Sequence, residues 1–181
     1  TGVIPETVYS IETLAVLAFA ENLISGSFPS HNAQTGLNSL VVTDNHMSGC
    51  IPSFTKTTVL SNLGLGYNLF TGSLPNDDLY VNKVEFISAA SNFIDGMLPD
   101  VYTSMRYLKV LDISDNFVSG SIYADLSSNQ FLRDLNVNRN IMNGLLPIRY
   151  ETNLMELKLG NNKFTGPFPS QLTELIGLRV L

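Results

Sequence analysis

Cysteine, long apolar runs and charge are all scarce in this chain of 181 residues. Cys50 is the single cysteine, so the chain cannot close a disulfide on itself, and cysteine pairing gives no indication of its compartment. Charged residues make up 14% of the sequence, well below the roughly 25% of an ordinary soluble domain. Apolar residues make up 44%, which is enough for a sizeable core.

The distribution of charged and apolar residues argues against two kinds of partner. The formal net charge is −6 and no run of Lys and Arg occurs, whereas binding to nucleic acids or anionic lipids depends on clustered cations. The most apolar stretch, residues 14–20, ends at Glu21 and is far shorter than the ~18 residues of a membrane span. The sequence therefore predicts no nucleic-acid partner and no membrane contact by this segment.

An asparagine recurs at nearly constant spacing along the chain. The steps between successive members are 23, 23, 24, 24, 24 and 22 residues. Apolar residues lie eight, five and three positions before each one, as Leu108, Leu111 and Ile113 do before Asn116. A repeat of this length is typical of solenoids, so it decides the fold before any other feature. The recurring asparagines are Asn22, Asn45, Asn68, Asn92, Asn116, Asn140 and Asn162.

A glycine follows each of these asparagines by four positions, and an apolar residue follows the glycine by two. Proline comes next in six of the seven units, and Tyr123 takes its place in the other. The unit reads L-x-x-L-x-L-x-x-N-x-[ILFVM]-x-G-x-[ILF]-P. This unit resembles the leucine-rich-repeat family. Its G-x-[IL]-P tail resembles the plant-type subfamily found in plant receptor kinases, receptor-like proteins and secreted inhibitors, with similar repeats in surface proteins of algae and other protists.

The resemblance covers essentially all of the chain and implies an α/β solenoid. In that fold a right-handed superhelix has a parallel β-sheet on its concave face and short 3-10, helical or irregular segments on its convex face. We expect one array over residues 1–181, with about seven full repeats and a partial repeat at each end. Because no polar end caps are seen, the segment is expected to be an internal part of a longer protein. Irregular convex loops are expected at residues 30–36 and 53–58, which lack apolar anchors.

Each residue type in the unit has a structural reason to be there. The alternation x-L-x-L-x predicts a short strand whose leucines point inward, and each buried leucine contributes about 1.5–3 kcal/mol. The asparagine amide can bond backbone groups where the strand turns, so the stacked asparagines should form a ladder. Glycine suits a bend with positive φ, and proline ends the local pairing. These residues are scaffold, so function is expected in the variable positions between them.

The variable positions beside the leucines should face outward on the concave side. The first five repeats place small or apolar residues there, and the last two place charged ones, which suits a ligand with an apolar part and a charged end. Gly64, Gly66, Ser88 and Ala90 would let a partner's backbone approach, although an unselected face would also mix small and polar residues. Exposed aromatic residues are favoured as interface anchors. The candidate ligand-binding residues are Val16, Val41, Tyr67, Phe86, Val110, Asp112, Asp134, Asn136, Arg139, Glu156 and Lys158.

Other chemistry-bearing residues give weaker signals. His31 and His46 have no neighbouring ligand set for a metal and are interpreted as surface histidines in turns. Cys50 occupies a variable position and is interpreted as an inert thiol, with a nucleophile or an intermolecular bridge as alternatives. Asp112 and Asp115 are interpreted as scaffold or solvent-facing carboxylates rather than a catalytic pair. The sequence predicts no catalytic residue, no metal and no cofactor.

Three functions remain open at this point. The first is a non-catalytic recognition module that binds a protein or peptide on its concave face, in an extracellular or cell-surface protein, as the resemblance implies. The second is a structural or adhesive module of a surface coat or large assembly. The third is an inhibitor of a secreted enzyme, which needs only a surface. Fold alone does not choose among them, and membrane attachment of the parent chain is left to sequence outside this segment.

Overall fold

A computed structural model describes residues 2–29, 36–54, 57–76, 83–122, 125–150 and 153–181. In this part of the chain, seven three-residue strands form one parallel sheet, in which each strand pairs with the strand of the next repeat. The central leucines align in register, as Leu40 does with Leu17 and Leu63. The strands are Val16–Ala18, Ser39–Val41, Asn62–Gly64, Phe86–Ser88, Val110–Asp112, Asp134–Asn136 and Glu156–Lys158.

A second row of parallel strands forms a lateral wall that the sequence interpretation did not predict. These strands begin one to three residues after six of the seven ladder asparagines, and Asn116 is the exception. Four of these strands form one sheet and two form another, and a bridge between Met97 and Ser119 carries the pairing further. The strands are Ser25–Gly26, His46–Cys50, Leu69–Ser73 and Phe93–Asp95 in the first sheet, and Asn143–Gly144 with Lys163–Phe164 in the second.

Three 3-10 helices occur in the described residues, each beginning directly after a proline of the repeat. Proline fixes its own φ and leaves the chain ready to turn, which explains why each helix begins there. They span Glu6–Ser10, Asp100–Ser104 and Ser170–Glu174. The predicted solenoid, with a parallel sheet on one side and short 3-10 segments elsewhere, is confirmed.

One continuous hydrophobic cluster fills the solenoid from Ile4 to Leu175. The leucines that the repeat unit predicts to be inward are buried, except for Leu14 and Leu159 near the two ends, which are partly buried. In the wall, Phe70 is fully buried as well. The Phe70 ring stacks on Phe28 with a centroid separation of 5.4 Å and an interplanar angle of 4°. The core is therefore a column in which every repeat covers its neighbours.

From Asn45 onward, the recurring asparagines connect each turn of the solenoid to the preceding one, whereas Asn22 bonds only carbonyls of its own turn in the described residues. The Asn68 Oδ1 accepts a hydrogen bond from the Met47 N–H at 2.9 Å, and its Nδ2 donates to the Val42 carbonyl at 2.9 Å. The same Nδ2 also contacts the Leu65 carbonyl of its own turn at 3.2 Å. The same bonding pattern recurs at Asn45, Asn92, Asn116, Asn140 and Asn162.

Two residues of every repeat have positive φ. The repeat glycines have φ between 74° and 86°, as the sequence predicts. A non-glycine residue immediately before each ladder asparagine is also left-handed, with φ between 53° and 58°, and this was not predicted. Asp and Asn tolerate this conformation, but bulky side chains rarely adopt it. The left-handed positions are Glu21, Asp44, Tyr67, Ser91, Asp115, Arg139 and Asn161.

Several expectations fall on residues outside the described ranges. Residues 30–35, which include His31, are all but the last residue of the first predicted irregular convex loop, and residues 55–56 are two of the six residues of the second. Tyr123 also lies outside the described residues. Thr57, which directly follows residues 55–56, is buried, and its hydroxyl donates to the Phe54 carbonyl at 2.6 Å.

Candidate binding face

The concave face consists of the outward side chains of the seven-stranded sheet together with the left-handed residue after each strand. Parallel pairing in register places its residues in rows that run across the repeats. One row consists of Val16, Ser39, Asn62, Phe86, Val110, Asp134 and Glu156. The next consists of Ala18, Val41, Gly64, Ser88, Asp112, Asn136 and Lys158.

Phe86 is the central apolar residue of this face. Its side chain is 39% exposed, and its strand aligns it directly with Val110. The Lys109 Nζ lies 5.6 Å from the Phe86 ring centroid and pairs with the Glu85 carboxylate at 2.5 Å. An ammonium over an aromatic face is favourable, and here the ion pair also holds it in place. The Phe86 ring is therefore partly exposed, and the neighbouring ion pair holds its surroundings in place, as an interface anchor requires.

Tyr67 is the bulkiest of the left-handed residues, and its side chain is 60% exposed. Its φ of 55° costs about 1–2 kcal/mol relative to ordinary backbone because the Cβ crowds the following carbonyl. The exposed ring recovers little of that cost through packing. Every repeat has this conformation at the same position, so the strain belongs to the fold, and what distinguishes Tyr67 is its large exposed ring.

We expect Tyr67→Gly to raise the free energy of unfolding by about 0.5–1 kcal/mol. Glycine removes the left-handed strain, but its larger loss of backbone entropy on folding cancels part of that gain. Urea unfolding followed by far-ultraviolet circular dichroism measures the change. Tyr67→Ala is the matched control, since it removes the ring and keeps the Cβ. An equal gain in both variants would show that the ring, and not the backbone, is responsible.

The opposite end of the face carries the charged residues. The Lys158 Nζ bonds the Glu156 carboxylate at 2.6 Å. This hydrogen bond, with added attraction from Asp112 and Asp134, raises the pKa of Lys158 above its usual value. The Arg139 guanidinium pairs with Asp115 at 3.2 Å. Most charges here are already paired, so they would orient a ligand more than they would attract it.

Asp112 is held by bonds within the face. Its Oδ1 accepts from the N–H and the hydroxyl of Ser114, at 3.0 and 2.7 Å. Its Oδ2 accepts from the Asn136 Nδ2 at 3.1 Å. With both oxygens occupied in this way, Asp112 has the contacts of a structural carboxylate rather than of a general base.

The small residues of the face differ from expectation, because several are covered by their neighbours. Gly64, Gly66 and Ala90 are buried. A Cβ at Gly64 would meet the Thr43 hydroxyl oxygen at 3.1 Å and Val41 at 3.2 Å. Close cross-strand packing of the flanking side chains therefore fills the space that a partner's backbone was expected to use.

The remaining candidates that the structure describes belong to one strand of the lateral wall, His46–Cys50. Cys50 and His46 are both exposed. Among the residues that the structure describes, no group of three or more His, Cys, Asp or Glu side chains is placed to hold a metal. Within the same residues, no helix has the length and apolar character to cross a membrane.

The sequence interpretation missed a row of apolar residues on the lateral wall, one position after the ladder asparagine. These residues are 40–58% exposed, and the rings of Phe93 and Phe117 stack with a centroid separation of 6.2 Å. The signal was present once the repeat was phased, but the position was treated as variable. This lateral row consists of Leu23, Leu69, Phe93, Phe117 and Ile141.

Comparison with known proteins agrees with this architecture. The family model for the Leucine Rich Repeat matches residues 153–175. A solved plant peptide hormone receptor, RGFR1 in complex with RGF2, is 29% identical with a TM-score of 0.91, over 99% of this chain and 30% of that one. The ectodomain of the Arabidopsis receptor kinase HAESA, in complex with an extended IDA peptide hormone, is also 29% identical, with a TM-score of 0.92, over 99% of this chain and 31% of that one.

Two further comparisons limit what can be inferred from these similarities. A plant ice-binding protein is 20% identical with a TM-score of 0.51, over 94% of this chain and 71% of that one, which is a likeness of fold alone. No curated protein sequence matches the chain significantly. The chain spans about three tenths of the length of the two receptors. The repeat unit, the solenoid and these matches together identify the chain as a leucine-rich-repeat array of the plant type, with the fold of plant receptor-kinase ectodomains.

Proposed function

We propose that the chain is a non-catalytic recognition module that binds a protein or peptide ligand on its concave face. The observation that carries the proposal is the pair of exposed aromatic side chains at Phe86 and Tyr67, in neighbouring repeats of one sheet. Exposed aromatic rings in fixed surroundings are the residues that dominate binding energy at interfaces. The paired charges toward Lys158 would fix the orientation of the ligand.

The two similar receptors support this proposal. Both were solved with peptide hormones bound, and both share the solenoid over nearly the whole of this chain. The parallel sheet of the concave face is also a suitable surface for an extended peptide, because its rows offer regularly spaced contacts over several repeats. We therefore propose an extracellular or cell-surface location, as in those receptors, and a parent protein with further repeats.

The experiment is a peptide-display selection on the folded chain, followed by affinity measurement with the enriched peptides by biolayer interferometry. We expect Phe86→Asp to weaken their binding at least about 30-fold, which corresponds to the ~2 kcal/mol of an interface hot spot. The aspartate would remove the ring and place an unpaired charge at the centre of the contact. Unchanged circular dichroism would show that the array is intact.

Phe117→Asp is the matched control, because Phe117 is a similarly exposed phenylalanine on the lateral row. Binding should be unaffected by that change. If Phe117→Asp removed binding while Phe86→Asp preserved it, the lateral wall would be the recognition surface and the concave proposal would be wrong.

A further inference from the structure

A pocket of about 380 Å³, here called the entry pocket, lies where the chain enters the strands of the concave sheet. Its lining residues come from the two positions that flank the first leucine of each repeat, in four successive repeats. It is therefore separate from the outward rows of the concave face, although Glu85 is the chain neighbour of Phe86. The entry pocket is lined by Asn38, Val59, Ser61, Lys83, Glu85 and Tyr107.

Tyr107 supplies a flat aromatic wall. Its side chain is 44% exposed, and its ring stacks on Phe131 with a centroid separation of 6.0 Å and an interplanar angle of 9°. Phe131 belongs to the following repeat, whereas the other lining residues belong to earlier repeats. Phe131 thus covers and supports one face of the Tyr107 ring, while the pocket residues belong to earlier repeats. The Arg106 guanidinium carbon also lies 6.0 Å from the ring centroid. An electron-rich face of this kind attracts weakly positive C–H groups.

Polar groups with unused bonding capacity surround this wall. The Asn38 Nδ2 donates to the Val59 carbonyl at 3.0 Å, which leaves its Oδ1 without a partner in the described residues. The Glu85 Oε2 accepts from the Lys109 Nζ at 2.5 Å, which leaves its other oxygen to accept. Lys83 has no hydrogen-bond partner among the residues that the structure describes, so its ammonium remains a donor. The pocket therefore combines acceptors and donors around one aromatic face.

The polar and aromatic groups of the entry pocket favour some kinds of ligand over others. An apolar side chain of a partner protein would cover the ring, but the Asn38 Oδ1, the second Glu85 oxygen and the Lys83 ammonium would then lose water without gaining a hydrogen bond, at a cost for each. Hydroxyl groups both donate and accept, so a polyhydroxylated ring can satisfy all of them while its C–H face lies on Tyr107. Because Lys109 balances the Glu85 charge, the ligand need not be ionic. The volume is at the small end for ligand pockets and suits one or two rings.

We propose that the entry pocket binds a pyranose ring of an oligosaccharide, stacked on Tyr107 and hydrogen-bonded by Asn38, Lys83 and Glu85. This activity is separate from the proposed recognition of a peptide or protein. Different probes and different variants test the two proposals separately.

The test is a titration of the ¹⁵N-labelled chain with cellotetraose, chitotetraose and tetragalacturonic acid, followed by amide chemical shifts. At least one probe should shift Ser61, Glu85 and Tyr107 in a saturable way, with a dissociation constant in the millimolar range. Tyr107→Ala should weaken binding at least tenfold, and Tyr107→Phe should keep it within about threefold because the aromatic face remains. Phe117→Ala, at an exposed ring on the lateral row, should leave binding unchanged.

Two results would overturn this proposal. One is the absence of saturable shifts with all three probes. The other is a saccharide affinity that Tyr107→Ala does not alter. If Tyr107→Ala instead weakened the display-selected peptides while no saccharide bound, the pocket would belong to the peptide-binding surface. Saccharide binding in a protein that enriches no peptide would sustain this inference and contradict the function proposed above.

Discussion

Asn116→Ala is expected to lower the free energy of unfolding by about 3 kcal/mol or more. Asn116 is buried, and its Oδ1 accepts from the Ile94 N–H at 2.9 Å. Its Nδ2 donates to the carbonyls of Ala89 at 2.9 Å and Ser114 at 3.0 Å. Alanine would leave these backbone groups buried without a partner, and each such group costs about 1–3 kcal/mol. Because the chain has no tryptophan, far-ultraviolet circular dichroism in urea is the suitable measurement.

Asn22→Ala is the matched control for this prediction. Asn22 has the same place in its repeat, but it is exposed and bonds only the Phe19 and Ala20 carbonyls of its own turn. Water can replace those bonds, so the loss should be below about 1 kcal/mol. Equal losses at the two positions would show that the bonds to the preceding turn contribute nothing, and the ladder would then have no part in joining the repeats.

The second large effect is expected at Phe70, whose replacement by alanine should cost about 3–5 kcal/mol. Phe70 is fully buried, and its ring stacks on Phe28 at 5.4 Å. The change removes the ring from a column that is packed from both sides, and it leaves a cavity that the flanking strands cannot close. The same urea experiment measures the loss.

Phe93 provides the comparison for Phe70, because it belongs to the next repeat of the same wall and is 50% exposed. Phe93→Ala should cost about 1 kcal/mol, which is the size of its stacking contact with Phe117. A cost near that of Phe70→Ala would mean that the lateral row is part of the core. A cost near zero for Phe70→Ala would contradict the placement of its ring.

The fold followed from the sequence because one short unit specifies all of it. Leucines at fixed intervals determine which side chains are inward, so the register of the concave sheet could be written before any coordinates. The lateral wall was not predicted, because its strands vary from two to five residues and several include the repeat glycine, a residue that weakens a strand pattern.

The candidate site was predictable only in outline. Alternation places Phe86 on the outward side, but it does not show that Lys109 lies over its ring or that Tyr67 is left-handed. Those features arise from contacts between repeats and from a turn whose strained residue has no fixed type. For the same reason, the crowding at Gly64 could not be read from its small size. The entry pocket combines residues of four repeats, which no linear motif would join.

The asparagine bonds also determine how such a protein can change in size. From Asn45 onward, each ladder residue bonds its own turn and the one before it, and none of these bonds reaches farther among the described residues. Removal or duplication of a whole unit, such as residues 93–116, therefore joins two surfaces that already match. A partial unit would displace every later asparagine from its partners. Gene duplication can therefore change the length of the concave face in steps of about 24 residues, and the fold stays the same at every step.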